Sequence, residues 1–368
     1  MTVTVSPPLN ILFDYQIFSL QQYGGISRYF SEMFGRMNQF EGCQAAVFCP
    51  LSVNHYLAEL PHGGITIPKI PRTGNLVRLA NKYASRCYAA AQKFDIVHKT
   101  YFFDQSKMGA RTVVTVYDMI NELYPQYFPD DDHLAKHKAA AVKRADAIIC
   151  ISESTRADLL NFIDIDPEKV FVTHLGFSSL PETDSEGRSG PMPKPYLLYV
   201  GKRGGHKNFE TMAAGFAASR TLRRDFHLLC FGDVPFSQEE KNMMASLGLP
   251  PTRVHHFTGG DALLAKAYRH AAAFVYPSRY EGFGIPVLEA MSCRCPVVCS
   301  HAGSLGEVAG DAAEIFDPLD VDAVRAALEN VLYDSSRASE LVQRGAERCR
   351  RFTWEKCARE TLDVYRAT

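Results

Sequence analysis

The chain of 368 residues encodes an α/β protein in two domains, an expectation that rests on three features. Short apolar runs recur at VVTVY (113–117), AIICIS (147–152), YLLYV (196–200), HLLCF (227–231), AFVYP (273–277) and PVVCS (296–300). Segments with helical spacing follow them, as in KNFETMAAGFAASR and DALLAKAYRHA, which is the alternation of parallel strands covered by helices. Length supplies the third: a single core seldom grows beyond about 250–300 residues, so this chain divides.

Taken in order, the N-terminus MTVTVSPPLNILFDYQIF has no basic segment ahead of an apolar core. No stretch approaches the ~18 apolar residues that span a bilayer, so a cytoplasmic protein is expected. The runs at 113–117 and 147–152 are strands of a first domain, 1–180. The segment 181–195, dense in Pro, Gly, Ser and charge, is the linker. A second domain, 196–351, opens on YLLYV; a glycine turn follows and a helix starts near Asn208, a residue suited to an N-cap. AFVYP ends at Pro277, residues 278–285 form a loop, and Pro286 suits the first turn of a helix that carries Glu289. The last segment, 352–368, is a helix with the only Trp, which packs it onto a domain. No internal sequence repeat is present, although both halves follow one plan.

Composition excludes several functions. Hydrophobic residues at 46% and charged residues at 22% fit a globular enzyme and not a disordered chain. A net charge of -1 provides no general field for nucleic acid, so an anion must be caught by local groups. Of the ten cysteines, Cys150, Cys230 and Cys299 sit in strand-like runs and read as reduced core thiols. Cys293, Cys295 and Cys299 have no second Cys/His cluster at zinc spacing, so no metal is expected. The run Asp130 to Asp132 is placed on a polar surface loop.

Two places could do chemistry. In YVGKRGGHKNFETM, three glycines (Gly201, Gly204, Gly205) and three cations (Lys202, Arg203, Lys207) gather where a strand gives way to a helix. Free N–H groups and the positive end of the helix dipole converge there, which suits a diphosphate; a solvated surface lysine is the plainer alternative. In PSRYEGFGIPVLEAM, Glu281 lies on the loop and Glu289 on the helix, with Gly282 and Gly284 exposing backbone N–H groups. A hydrolase pair would need a spatial separation that sequence spacing does not supply. Carboxylates also accept hydrogen bonds from adjacent hydroxyls, so diol recognition on a nucleoside sugar is preferred. The bland reading of Glu289 is an early-turn acid favoured by the helix dipole.

The spacing EGFGIPVLE, together with the YVG...HKN turn, resembles glycosyltransferase family 4. QQYGGISRYFSEM, VVTVYDMINELYP and AIICISESTRADL in the first half extend the resemblance, as does SRYEGFGIPVLEAMSCRCPVVCSHAGSLGEVAGDAA in the second. Within that family the chain resembles bacterial polysaccharide and O-antigen mannosyl-type transferases. The resemblance implies a GT-B fold: two Rossmann-like parallel-sheet domains facing across a cleft, with the C-terminal helix returning to the N-terminal, acceptor-binding domain. It also implies a retaining, metal-independent hexosyltransferase that needs no cofactor beyond its donor. That donor is a GDP-sugar carrying mannose or a 6-deoxyhexose, ahead of a UDP-sugar.

By the same resemblance Glu289 holds the donor ribose. Glu281 and the backbone of Phe283, Gly284 and Ile285 surround the donor sugar and diphosphate, and Gly201 belongs to the turn beneath them. Lys207 is the diphosphate lysine, and its basic partner is Arg203 or Lys202. Gly24 and Gly25 form the first N-terminal glycine turn, which the resemblance places near the donor diphosphate and the acceptor across the cleft. Tyr117 stands where many members place a histidine that touches the donor sugar. The acceptor is a glycan or a lipid-diphosphate-linked glycan.

Between Pro61 and Phe94 there are six basic residues and no acidic one, and Arg78, Lys82 and Arg86 share a helical face. With Leu76, Val77, Leu79 and Tyr83 nearby, that face suits peripheral contact with an anionic membrane; a plain solvated helix fits equally. Two other functions share the architecture: a sugar-nucleotide 2-epimerase, against which EGFGIPVLE speaks, and a non-catalytic sugar-nucleotide-binding protein.

Overall fold

A computed structural model describes residues 7–128, 132–181 and 195–368. Asp130, Asp131 and nearly all of the expected linker lie outside the described residues. The chain forms two compact units, one of Met1–Gly176 with Trp354–Thr368 and one of Phe177–Thr353.

Unit 1 holds β1 (Leu9–Phe13), β2 (Cys43–Val47), β3 (Leu51–Ser52), β4 (Ile65–Thr66), β5 (Ile96–Lys99), β6 (Arg111–Val116), β7 (Ala147–Cys150) and β8 (Val170–Val172). Six of these form a sheet in the order β2-β1-β5-β6-β7-β8, with every pairing parallel; β3 and β4 make a separate short ladder. Helices cover parallel sheets on both faces, which is why β7 (AIIC) reads as an unbroken apolar run and is buried throughout. Val114, Val116, Ile148, Cys150 and Leu159 belong to one buried cluster of this unit.

The C-terminal helix, Trp354–Ala367, completes unit 1. Trp354 lies 6.4 Å from the Tyr29 ring. Tyr365 bonds through its hydroxyl to Nδ1 of His98 on β5, while Nε2 of His98 meets Thr115 Oγ1 on β6 at 2.8 Å. Burial lowers the His98 pKa to about 3, so the ring is neutral and its two nitrogens serve as fixed partners.

Unit 2 repeats the plan with β9 (Tyr196–Val200), β10 (His227–Phe231), β11 (Val254–Phe257), β12 (Ala273–Tyr276), β13 (Val297–Ser300) and β14 (Glu314–Phe316). The order is β11-β10-β9-β12-β13-β14, again all parallel. Leu197, Phe209, Phe216, Leu228, Val275, Val298 and Leu328 join strands and helices in its core.

Strand order decides where ligands go. In each unit the chain runs to one side of the first strand and then crosses to the other, so the order reverses between β1 and β5 and between β9 and β12. Open parallel sheets bind ligands outside the carboxyl ends of strands at such reversals, because the flanking loops part there and leave a crevice.

Candidate functional site

In unit 2 the reversal brings together two segments that are far apart in sequence. Residues 201–207 follow β9 and residues 277–284 follow β12. Across the gap the Lys207 ammonium donates to Glu281 Oε1 at 2.7 Å and to the Tyr276 hydroxyl at 3.3 Å. Both charged side chains keep some solvent contact, at 23% and 12% of their surface, so the pair lies at the mouth of the crevice and not in the core. Burial, and then the Glu281 charge, push the Tyr276 hydroxyl well above its ordinary pKa, so it stays protonated beside the ion pair.

The loop that carries Glu281 is fixed from behind. Ser304 donates to the Glu281 carbonyl through both its amide, at 3.1 Å, and its hydroxyl, at 3.0 Å. Gly303 has φ +60, and a Cβ there would come within 2.6 Å of the Glu281 carbonyl oxygen, so only glycine allows this approach. Gly284, at φ +99, turns the chain into the helix Ile285–Ser292; a Cβ there would meet Leu305 at 2.6 Å. Phe283 is buried, edge-on to Phe352 at 5.6 Å. Glu289, on that helix, accepts from Tyr268 at 3.4 Å and is half-buried.

Asn208 departs from the expected N-cap. It takes left-handed backbone angles, φ 56 and ψ 35, and makes no side-chain cap to the helix Phe209–Ala218. Its amide instead donates to the carbonyls of Pro277, at 3.0 Å, and Pro318, at 2.7 Å. A side chain that braces two distant loops is worth more there than one backbone N–H at an exposed turn. The brace pins the residue next to Lys207 to the start of the Glu281 loop.

Arg203 and Lys202 have separate fates. The Arg203 guanidinium, 4% exposed, forks onto Glu240 at 2.6 and 3.2 Å, bonds the Val234 and Pro235 carbonyls at 2.7 and 3.0 Å, and lies 4.5 Å from the Phe236 ring centre. Glu240 also closes a capping box with Ser237, so one carboxylate secures both a helix start and this arginine. Together they wall a cavity of 670 Å³ beside the ends of β9 and β10, lined also by Gly201, Lys202, Gly232 and Asp233. Lys202 is exposed and forms no ion pair among the described residues. Its carbonyl accepts from the Tyr199 hydroxyl, which fixes the turn.

In unit 1 the reversal has its own crevice, a cavity of 400 Å³ lined by residues after β1 (Tyr15, Gln16), after β5 (Phe103, Asp104) and on the helix Gly74–Ala91 (Arg78, Lys82). Arg78 lies 5.5 Å from the Phe103 ring centre, and Lys82 is 3.8 Å from Asp104. Burial pushes the Asp104 carboxyl up, but hydrogen bonds from Ser106 and the charges of Lys99 and Lys82 outweigh it and hold the pKa below its ordinary value. The basic face expected on this helix is therefore divided. Arg78 and Lys82 are half-buried along the crevice, whereas Arg86 is exposed with Leu76, Leu79 and Tyr83.

Beneath it Lys99 and Asp14 form a buried pair at 3.6 Å, Asp14 also accepting from Thr100 and Gln16. Gly24 and Gly25 open the helix Gly25–Met37 on the same edge of the sheet, with the Gln21 amide lying against Gly24. Tyr117 follows β6, and its buried hydroxyl has no hydrogen-bond partner among the described residues.

Sequence reasoning singled out Lys207, Glu281 and Glu289, gave Asn208 a capping role in place of its bracing one, and missed three other residues that place them: Tyr276, Ser304 and Gly303. The only hint was a glycine and a serine inside AGSLGEV. All ten cysteines are free, and burial raises the thiol pKa of Cys299 to about 12. No group of three or more metal-ligating side chains converges among the described residues, and no helix there is long and apolar enough to cross a membrane.

Comparison with known proteins assigns both halves. Residues 23–178 match the family model described as Glycosyltransferase Family 4, and residues 182–348 match that described as Glycosyl transferases group 1. The chain is 31% identical over 276 residues to O-antigen chain mannosyltransferase B of Escherichia coli, covering 70% of each protein. It is 27% identical over 272 residues to the serotype-specific mannosyltransferase WbdA of Escherichia coli, spanning 69% of this chain but 33% of that longer protein. Among solved structures, sucrose-phosphate synthase from Thermosynechococcus elongatus superposes with a TM-score of 0.77 at 21% identity, over 98% of each chain, a similarity of fold.

Proposed function

The chain belongs to glycosyltransferase family 4 and has its two-domain GT-B fold, and from that membership we propose that it transfers a hexose with retention of configuration from a nucleoside-diphosphate sugar to a glycan or lipid-diphosphate-linked acceptor in bacterial surface polysaccharide synthesis. The observation that carries the proposal is the Lys207–Glu281 pair, held at 2.7 Å across the strand reversal of unit 2.

Cleaving the anomeric C–O bond puts negative charge on the departing diphosphate. Preorganised cations and N–H groups stabilise that charge without reorganising during reaction. Lys207 supplies one cation. Arg203 is buried and tied through Nε and Nη2 to Glu240 and two carbonyls, whereas Lys202 is exposed and without an ion pair among the described residues, so Lys202 is taken as the second and Arg203 shapes the wall of the base pocket. With these charges and the backbone of 204–207 and 283–285 at the phosphates, the reaction needs no metal or other cofactor. Glu289 accepts the ribose hydroxyls. The leaving phosphate oxygen takes the proton of the attacking hydroxyl, which allows front-face substitution. Glu281 orients Lys207 and borders the sugar.

A GDP-sugar, mannose first and a 6-deoxyhexose next, is favoured over a UDP-sugar because two similar proteins are named as mannosyltransferases. Unit 1 receives the acceptor at its own crevice, where the Phe103 ring offers a sugar a flat apolar face and Arg78 and Lys82 meet its phosphate. Exposed Leu76, Leu79, Tyr83 and Arg86 suit peripheral contact at the inner face of the cell membrane.

Incubation with labelled GDP-mannose, GDP-fucose and UDP-glucose and a lipid-linked glycan fraction tests the reading. Stoichiometric nucleoside diphosphate and labelled glycan support it. Interconversion of the free sugar nucleotide without acceptor would make the protein an epimerase, and binding without turnover a sensor.

A further inference from the structure

We propose that unit 2 carries a second anion site, for a phosphate-bearing ligand, where Arg220, Arg223, Arg224 and Arg253 surround a cavity of 210 Å³ on the edge of the sheet opposite the donor site. Arg224 lies just ahead of β10 and Arg253 just ahead of β11, so the cavity opens at the amino ends of the strands, whereas Lys207 and Glu281 follow carboxyl ends. A strand of five residues such as β10 separates the two edges by roughly 16 Å, at about 3.3 Å per residue.

Three arginines come from the short helix Arg220–Asp225, where the spacing i, i+3, i+4 puts them on one face while Leu222 is buried on the other. A helix dipole favours cations in the last turn and so accounts for Arg223 and Arg224. It disfavours Arg220 in the first turn and has no bearing on Arg253, which reaches the cavity from another segment.

Nor are these charges matched. Asp225 pairs with Arg224 at 2.7 Å and accepts from Tyr333 at 2.9 Å. Arg220, Arg223 and Arg253 form no ion pair among the described residues, and Nε of Arg223 is buried without a hydrogen-bond partner. A merely solvated arginine keeps that nitrogen in water. Phe216, Leu249 and Pro250 complete the wall, and Gly248 leaves Arg223 room: a Cβ there would approach Nη1 to 3.3 Å. Guanidinium forks bind phosphate oxygens in parallel pairs, so a phosphate group in the cavity neutralises the unpaired arginines together. The phosphate belongs either to a soluble oligophosphate or to an anionic lipid headgroup.

Calorimetric titration with inorganic tripolyphosphate tests this on the full chain carrying Lys207→Ala, which removes the donor-site lysine and keeps the two sites distinguishable. One equivalent should bind, and adding Arg223→Gln with Arg253→Gln should weaken it at least tenfold with an unchanged circular dichroism spectrum. Affinity within twofold of the parent, or loss of binding on Lys207→Ala alone, overturns the proposal. Should the double substitution unfold the chain, exposed Arg220→Gln replaces it, with at least threefold weakening expected and none contradicting. Sedimentation with phosphatidylglycerol vesicles, against phosphatidylcholine vesicles, separates the sources. Arginine-dependent pelleting identifies the headgroup, and tripolyphosphate binding without pelleting identifies the soluble ligand. A wild-type chain that binds neither probe refutes the site.

Discussion

Replacing Lys207 by alanine removes the cation at the mouth of the donor crevice. The ammonium sits 2.7 Å from Glu281 and 3.3 Å from the Tyr276 hydroxyl, so its position is fixed before any ligand arrives. Loss of one preorganised group that stabilises a developing oxyanion raises a barrier by about 3–4 kcal/mol, or a factor of 10²–10³ in turnover. Folding should suffer far less. With 23% and 12% of their surfaces in water, the two side chains are screened, and the pair contributes up to about 1 kcal/mol to stability. That corresponds to a melting shift of about 2–4 °C for a unit of this size. The assay is initial-rate release of GDP from GDP-mannose over a range of donor concentrations, with a thermal melt of each variant. Glu281→Gln keeps a hydrogen-bond partner for Lys207 but removes the charge that orients it. If the two groups act as a unit, the double variant should be no slower than the slower single variant. A folded Lys207→Ala protein within threefold of wild type, or losses that multiply in the double variant, would refute the reasoning.

Glu289→Gln should raise the donor KM roughly tenfold with kcat changed less than threefold, because the ribose contact is made equally in the ground and transition states. A fall in kcat at unchanged KM would contradict that role. Arg203→Met removes the cation paired with Glu240, leaving that carboxylate the Ser237 amide alone among the described residues, and strips two carbonyls of a donor. It should lower stability by about 3 kcal/mol, read as a denaturant midpoint; an unchanged midpoint would show that the fork is not structural. His98 makes acid stability a test of the core of unit 1. Its folded pKa, about 3, lies below the unfolded value near 6.5, so the unfolded chain binds the extra proton and stability falls as pH drops through that interval. Between pH 6.5 and 4.5 the stability difference between wild type and His98→Gln should shrink by about 2–3 kcal/mol. A difference constant with pH would mean that His98 takes up its proton alike in the folded and unfolded chain, so that burial does not lower its pKa.

Parallel strands buried on both faces declare themselves as apolar runs, and so β6, β7, β9, β10, β12 and β13 were visible in the sequence. β5, the strand IVHK, was not, since two of its four buried residues are polar. His98 is tolerated there because Tyr365, 267 positions away, and Thr115 bond its two nitrogens, while Lys99 has the Asp14 charge at 3.6 Å. The site divides in the same manner. Lys207 and Glu281 stand out by composition and spacing, but their contact depends on β9 lying beside β12, which no local pattern encodes. Asn208 followed tertiary bonds to two proline carbonyls over its local capping preference. Arg203 looked like Lys202 in the sequence because its partner, Glu240, is 37 residues further on.

Crystals soaked with GDP give the most direct measurement. The diphosphate should lie against Lys207 and the 204–207 turn, with the ribose hydroxyls on the Glu289 carboxylate and the base in the cavity walled by Arg203 and Glu240. Nucleotide density elsewhere, with Lys207 still bound only to Glu281 and Tyr276, would contradict it.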